Sequence, residues 1–322
     1  MMRAGMTVTL FLIAKRLGTA ALTLLLVSMI VFTITSLLPG DAAEETLGRN
    51  ATPEAVAALR TRLGLDQPAY LRYLHWLEGL LSGDPGRSMA NNLPVKDVIA
   101  SRLPKSLLLA TMTATVSVPL ALMIGILSAM YRGSKLDRIL SLLTLSMVAI
   151  PEFLVATLAV LVFAVKLRWL PALTLAPKYA TAGDFLRAYA MPVMTLCFVV
   201  VAQMARMTRA AVIDQISRSY VEMAILKGVS PARAVLTHVL PNAIGPIVNA
   251  IALSLSYLLG GAIIVETIFN YPGIASLMVD AVTSRDMPLL QVCAMIFCSA
   301  YLLLVLTADV CAILANPRLR SQ

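Results

Sequence analysis

Long apolar runs separated by short basic stretches set the pattern of this chain, and a helix crosses a hydrocarbon core with about 20 apolar residues. Six runs qualify as spans: residues 19–38, 106–130, 139–165, 189–204, 243–264 and 289–314. The first is opened by Lys15-Arg16 and closed by Leu38-Pro39-Gly40-Asp41. The third holds Pro151, read as a kink, and the fourth is shorter and interrupted by Pro192. Between the first two spans lies a long polar loop, residues 39–105. Within it, residues 52–63 have helical spacing behind a Thr52-Pro53-Glu54 start. Residues 69–81 form a second amphipathic helix carrying Tyr70, Tyr73 and Trp76, and Gly83-Asp84-Pro85-Gly86 makes a turn. Those aromatics suit either a membrane interface or a partner.

The polar insert at residues 206–241 is more unusual. A turn between two spans takes only a few residues, whereas this one is long, basic and helix-compatible. Residues 220–227 read as a helix stopped by Gly228 in a left-handed C-cap. Ser230-Pro231 starts a second, serine capping and proline at the first position. The product is a helix–turn–helix at the membrane surface. Its short first helix either enters a groove of a cytosolic protein or merely lies on the bilayer.

Composition narrows the class. Of 322 residues, 59% are hydrophobic and only 13% charged, against about 25% charged in soluble domains, so the chain is an all-α polytopic membrane protein. Its net charge of +9 reflects basic cytoplasmic loops, not nucleic-acid affinity. Thirteen cations fall in one set of short segments, around Lys15, Arg132, Arg209, Lys227 and Arg318. The long loop instead mixes cations with Asp41, Glu44, Asp66, Asp84 and other acids. Both termini and the insert are therefore expected in the cytoplasm. The first run is too long for a signal peptide and lacks a small-x-small cleavage site.

Little catalytic chemistry is present. Cys197, Cys293, Cys298 and Cys311 lie in apolar runs without metal or disulfide spacing, and read as small buried hydrophobes. His75 and His238 are too few for a histidine-rich metal centre or a convincing Ser–His–Asp arrangement. No Gly-x-x-x-x-Gly-Lys-Ser/Thr loop occurs, so this chain does not itself hydrolyse ATP. Intramembrane acids mark ion paths. Glu152 beside Pro151 either lines a path or caps backbone groups freed by the proline, the latter preferred. Asp309 is expected to pair with a basic residue. Glu266 and Asp280, after the fifth span, suit a gate or a docking contact, but solvated loop charges are the commoner case.

At the insert the residues resemble a known family. Glu222-x-Ala224-x-x-x-Gly228, then nine residues, then His238-Val239-Leu240-Pro241 resembles the EAA loop of binding-protein-dependent ABC importer permeases. Met223 stands where the family often has alanine, and His238 where its pattern has a branched aliphatic. Lys227-Gly228-Val229-Ser230 with the His238–Ala243 stretch resembles the dipeptide, oligopeptide and nickel branch. So do Leu38-Pro39-Gly40-Asp41, Leu63-Gly64-Leu65-Asp66-Gln67-Pro68, Gly83-Asp84-Pro85-Gly86, Arg102-Leu103-Pro104, Ile150-Pro151-Glu152-Phe153, Glu266-Thr267-Ile268-Phe269-Asn270-Tyr271-Pro272-Gly273, Arg285-Asp286 and Asn316-Pro317-Arg318. Their order and spacing carry more weight than any one of them.

The resemblance implies a type I ABC importer permease fold, six transmembrane helices with a small helical periplasmic insertion. It divides the chain into residues 1–38 (cytoplasmic N-terminus and first span), 39–103 (periplasmic loop), 104–314 (five-helix core with the coupling loop 206–241) and 315–322 (cytoplasmic tail). It implies a bacterial inner-membrane transport subunit, not an enzyme, working by alternating access. Its partners would be a second homologous permease chain, two ATPase subunits that carry ATP and Mg, and a substrate-binding protein. Tyr220, Glu222, Ala224, Lys227, Gly228, Ser230 and His238 become the ATPase-docking residues. Pro151, Glu152 and Glu266 are the candidates for a path or gate, and no cofactor or metal is expected on this chain. Peptide is the first-choice cargo. An ion-coupled secondary transporter would need midplane carboxylates and inverted repeats, neither clearly present; a scaffold without transport would make the insert a generic partner site.

Overall fold

The computed structural model describes residues 2–37, 52–62, 66–173 and 181–315. The landmarks Leu38-Pro39-Gly40-Asp41 and Leu63-Gly64-Leu65, and the tail from Asn316, lie outside the described residues. Among the described residues the structure is helical apart from one antiparallel bridge, Arg87 with Pro94. In chain order the helices are α1 (Met2–Leu37), α2 (Pro53–Arg62), α3 (Ala69–Ser82), α4 (Val95–Met130), α5 (Lys135–Ala149), α6 (Glu152–Ala159), α7 (Ala182–Ile216), α8 (Ser219–Leu226), α9 (Pro231–Ala234), α10 (Leu240–Ile268), α11 (Ile274–Thr283) and α12 (Met287–Ala315). Two π-helical segments, Val160–Lys166 after α6 and Val235–Val239 between α9 and α10, complete the set.

Among the described residues, five stretches are long and apolar enough to span a bilayer, and α5 with the α6 segment makes a sixth if the bent pair is counted as one. Three expectations need correction here. The third span is not kinked at Pro151 but broken, its halves 95° apart. The fourth is not short: α7 runs 35 residues with Pro192 inside it. The first part of the polar insert, Arg206 to Ile216, continues α7, and its last part runs from Pro231 through α10, so the true interruption is short. Polar sequence ended the apolar runs without ending the helices.

The chain divides into two compact units. In the larger (Met1–Gly18, Leu107–Tyr271, Ala300–Gln322), α7 packs chiefly on α10 and α5. Thr113, Ser117, Ala121 and Gly125 recur every four residues on α4, a small-residue stripe of the kind that lets membrane helices close up. A Cβ on Gly125 would lie 2.6 Å from the Ala205 carbonyl oxygen and 2.7 Å from Thr208 Cβ. Any larger residue there would force α4 and α7 apart. Tyr189 and Tyr271 meet edge to face, ring centroids 5.7 Å apart. Arg16 pairs with Asp309 at 3.2 Å, the basic partner expected for that acid.

In the smaller unit (Thr19–Ser106, Pro272–Ser299), Val95, Ile99, Ile274, Leu277, Leu289 and Cys293 form the core. Asp286 is buried yet fully engaged. It accepts hydrogen bonds from the Ser88 hydroxyl, from Met89 N–H at 3.1 Å and from Leu289 N–H at 3.4 Å. It thereby caps α12 and pins the segment before α4. The α3 aromatics find neighbours within the fold. Tyr73 and Trp76 pack on Phe32 of α1, centroids 5.4 and 5.9 Å away, and the Tyr73 hydroxyl bonds Ser28 at 2.9 Å. Only Tyr70 of the three is left exposed.

Candidate functional site

The interruption between α7 and α10 is built as a rooted elbow. Ser217 ends α7, its hydroxyl donating to the Ile213 carbonyl at 3.0 Å, while Arg218 pairs with Asp214 one turn back at 3.0 Å. Helix α8 then runs for eight residues and stops at Gly228, whose φ of +91° lies in the left-handed region. Gly228 N–H donates to Ile225 O at 2.9 Å and Val229 N–H to Ala224 O at 3.1 Å. That pair of bonds is the Schellman closure. A Cβ on Gly228 would meet no atom within 4 Å, so the constraint is the backbone conformation, not space.

Ser230 occupies the N-cap position of α9 with Pro231 in the first turn, but its hydroxyl makes no capping bond. The helix passes through the π turn, where Thr237 bonds back to Arg233 O at 2.7 Å and the Asn242 side chain donates to His238 O at 2.7 Å. An extra residue per turn leaves carbonyls out of register, and these two side chains take up two of them.

The two faces of α8 differ sharply. Val221 is fully buried among Val212 of α7, Ala234, Val235 and Val239 of the second limb, and Ala129 of α4. Met223, Ile225 and Leu226 are exposed, Leu226 at 74%. Of the residues singled out by sequence, Glu222, Lys227, Gly228, Ser230 and His238 are exposed and Ala224 is half-buried. Tyr220 is exposed on its ring and donates from its hydroxyl to Gln215 at 3.1 Å. Six of the seven thus lie on the short stretch from Tyr220 to Ser230, and His238 sits on the π segment of the second limb. Sequence reasoning did not single out the exposed Met223 and Leu226, and only the burial of Val221 separates the root of α8 from its outward face.

The path candidates are differently placed. Ile150 and Pro151 are extended (φ −88°, ψ 125° and φ −61°, ψ 139°), as expected where a proline disfavours helix for the residue before it. Glu152 opens α6, and its side chain caps nothing. The preferred structural reading is therefore corrected: among the described residues no hydrogen bond or ion pair reaches this carboxylate. It lies instead against Gly261 of α10, where a Cβ would sit 2.8 Å from Oε2. Glu266 is also corrected. It belongs to the last turn of α10 and is fully buried, not a solvated loop charge. Asp280 is exposed on α11.

A third cluster had no sequence expectation. Asp137 of α5 is buried and accepts from Arg209 Nε at 2.8 Å and Nη2 at 2.9 Å, Ser128 Oγ at 2.5 Å, Gly133 N–H at 2.9 Å and Ser141 Oγ at 3.2 Å. This straps the turn before α5 to α7 about two turns above the elbow. The only local signal was Ser134-x-x-Asp137, a capping spacing whose Ser134 accepts from Asp137 N–H at 3.2 Å. No group of three or more His, Cys, Asp or Glu residues arranged to hold a metal occurs among the described residues.

Comparison with known proteins fits this geometry. Residues 121–321 match the family described as the binding-protein-dependent transport system inner membrane component, and residues 8–110 match its N-terminal counterpart. The chain is similar to the glutathione transport system permease protein GsiC of Escherichia coli strain K12, 37% identical over 308 residues, covering 96% of this chain and 98% of that one. The GsiC proteins of Salmonella choleraesuis strain SC-B67 and Shigella flexneri serotype 5b show the same identity and coverage. An ion-coupled transporter without an ATPase is not favoured by these relatives. With matches that run nearly end to end, the chain belongs to the inner-membrane permease family of binding-protein-dependent ABC importers and is a transport subunit of one, not an enzyme.

Proposed function

We propose that α8 is the segment by which an ATPase grips this permease, and that the cargo is glutathione or another short peptide. One observation carries the first part: α8 buries Val221 in the elbow's own core while turning Met223, Ile225 and Leu226 outward between Glu222 and Lys227. A short helix with an apolar face and a charged rim suits a groove on a partner. The docking set is then Tyr220, Glu222, Ala224, Lys227, Gly228, Ser230 and His238, joined by Met223 and Leu226. The cation distribution supports an elbow and both termini in the cytoplasm, with a substrate-binding protein on the opposite side.

In this reading two permease chains enclose one pathway, and ATP with Mg is held on the two ATPase subunits beneath. Closure of the ATPase pair pulls α8. Because Val221 is rooted against both limbs of the elbow, displacement passes into α7 and α10 together. Gly261 of α10 touches Glu152, so the motion reaches the break in the third span. Pro151 and Glu152 there line the path, and the buried Glu266 at the far end of α10 acts at its gate. Nucleotide shifts this equilibrium only through unequal grip on its states, so the α8 contact must change between them. The cargo assignment rests on the relatives' names and on the peptide branch motifs.

The test uses the whole importer, reconstituted with its ATPase and binding protein. Glu222→Lys abolishes uptake of labelled glutathione and separates the ATPase during purification. Undiminished uptake with the ATPase still bound overturns the docking assignment. Uptake of a labelled dipeptide, with glutathione neither carried nor competing, overturns the glutathione assignment alone.

A further inference from the structure

An open cleft of 570 Å³ lies among α4, α5 and α7 beside the Asp137 strap. Its size falls within the ~300–1,000 Å³ typical of small-ligand sites. Its lining mixes polar side chains, Gln203, Arg206 and Arg209 from α7 and Ser141 and Thr144 from α5, with apolar ones, Ile124, Leu140 and Leu145. The charges there do not cancel. Arg209 is committed to Asp137 through two nitrogens, and that carboxylate is saturated by its other donors. Arg206 is exposed, and among the described residues it makes no hydrogen bond or ion pair. No acid is among the described lining residues of the cleft.

We infer that this cleft binds an anionic phospholipid, its phosphate against Arg206 and Gln203 and the start of its acyl chains along Leu140 and Leu145. The mixed lining selects that occupant. A guanidinium fork matches phosphate oxygens, and basic pockets between membrane helices at the headgroup level are the kind that hold acidic lipids. A soluble anion would use the cation but not the apolar side chains. Leu142, Leu143 and Leu145 of the same helix are all more than half exposed, on a membrane-spanning pair. The end of the bundle is also rich in cations, with Arg132, Lys135 and Arg138 on and beside the turn before α5. The bound lipid would brace α5 on α7 at the level of the strap. This does not depend on how α8 is used.

Photoactivatable phosphatidylglycerol in nanodiscs of phosphatidylcholine, holding the intact importer, tests it. Labelling is expected on peptides covering Leu140, Leu145, Gln203 and Arg206. Arg206→Gln should lower that labelling about fivefold, the worth of one interfacial cation, while Arg206→Lys keeps most of it at an unchanged unfolding temperature. Photoactivatable phosphatidylcholine should label the same peptides weakly. The inference is overturned if these peptides stay unlabelled, as a permease partner filling the cleft would cause. It also fails if the two lipids label alike, if Arg206→Gln changes nothing, or if inorganic phosphate displaces the label, which would assign the cleft to a soluble anion.

Discussion

Two interruptions divide the long helices of the larger unit, and they are finished in opposite ways. At the elbow the backbone is closed by the Schellman bonds at Gly228, its root is apolar, and its exposed face mixes Met223 and Leu226 with charge. At the break in the third span, Ile150 and Pro151 are simply extended, and the adjoining Glu152 carboxylate is left without a partner against Gly261. On the proposed function, the satisfied interruption that shows side chains outward is the one that transmits force and binds a partner. The unsatisfied one among apolar helices keeps a costly unpartnered acid, which on the proposed function is retained because the path uses it. The Asp137 strap supplies the internal control, because a buried acid on the adjoining helix is saturated by five donors.

Mutation can separate these roles, and the largest effects belong to the elbow. Gly228→Val places a β-branched residue at φ +91°, at a strain of about 1–2 kcal/mol. It should abolish uptake, because α8 is re-aimed, while leaving the protein inserted. Gly228→Asn, which tolerates that conformation, should keep substantial uptake. Equal loss in both would mean the left-handed turn is not what matters.

The strap comes next. Replacing Arg209 by Met alone leaves a buried acid unpaired and should lower stability by about 2–3 kcal/mol, below the value for a wholly buried pair because the Arg209 side chain is 31% exposed. The double variant Asp137→Leu with Arg209→Met should recover much of that loss. Thermal unfolding in detergent reads both, and a double variant worse than either single one would contradict the structural assignment.

Met223→Asp should then weaken ATPase binding by about 2 kcal/mol, roughly thirtyfold, if Met223 sits at the centre of the contact. Its unfolding temperature should not move. Glu152→Gln is the converse case, with stability kept or raised because an unpartnered acid is removed, and uptake lowered. Gly261→Ala is the mildest probe. The added methyl must push the carboxylate aside, so a partial loss of uptake is expected, with none if Glu152 has no part in the path.

The elbow was legible from sequence because its turn chemistry is local. Glycine at the left-handed position and Ser-Pro before the second limb mark a stop and a start whatever surrounds them. Hydrophobicity also found the spans, although it misplaced their ends. α7 continues to Ile216 and α10 begins upstream of its apolar run because both helices extend past the apolar stretch into polar sequence. What stayed hidden was pairing at a distance. Asp137 and Arg209 are 72 positions apart, and nothing in either neighbourhood names the other. Glu152 beside a proline looked like a cap because only the packing of α10 shows where the carboxylate goes. The contact of Tyr73 and Trp76 with Phe32 was hidden because Phe32 sits on another helix.

The central claim, that a motor protein holds α8, meets its most direct test at Met223. A photo-crosslinking amino acid placed there, in the intact importer, should form an adduct with the ATPase chain whose yield differs between nucleotide-free and ATP-bound states. Adducts with lipid alone, or no ATPase adduct in either state, would contradict it.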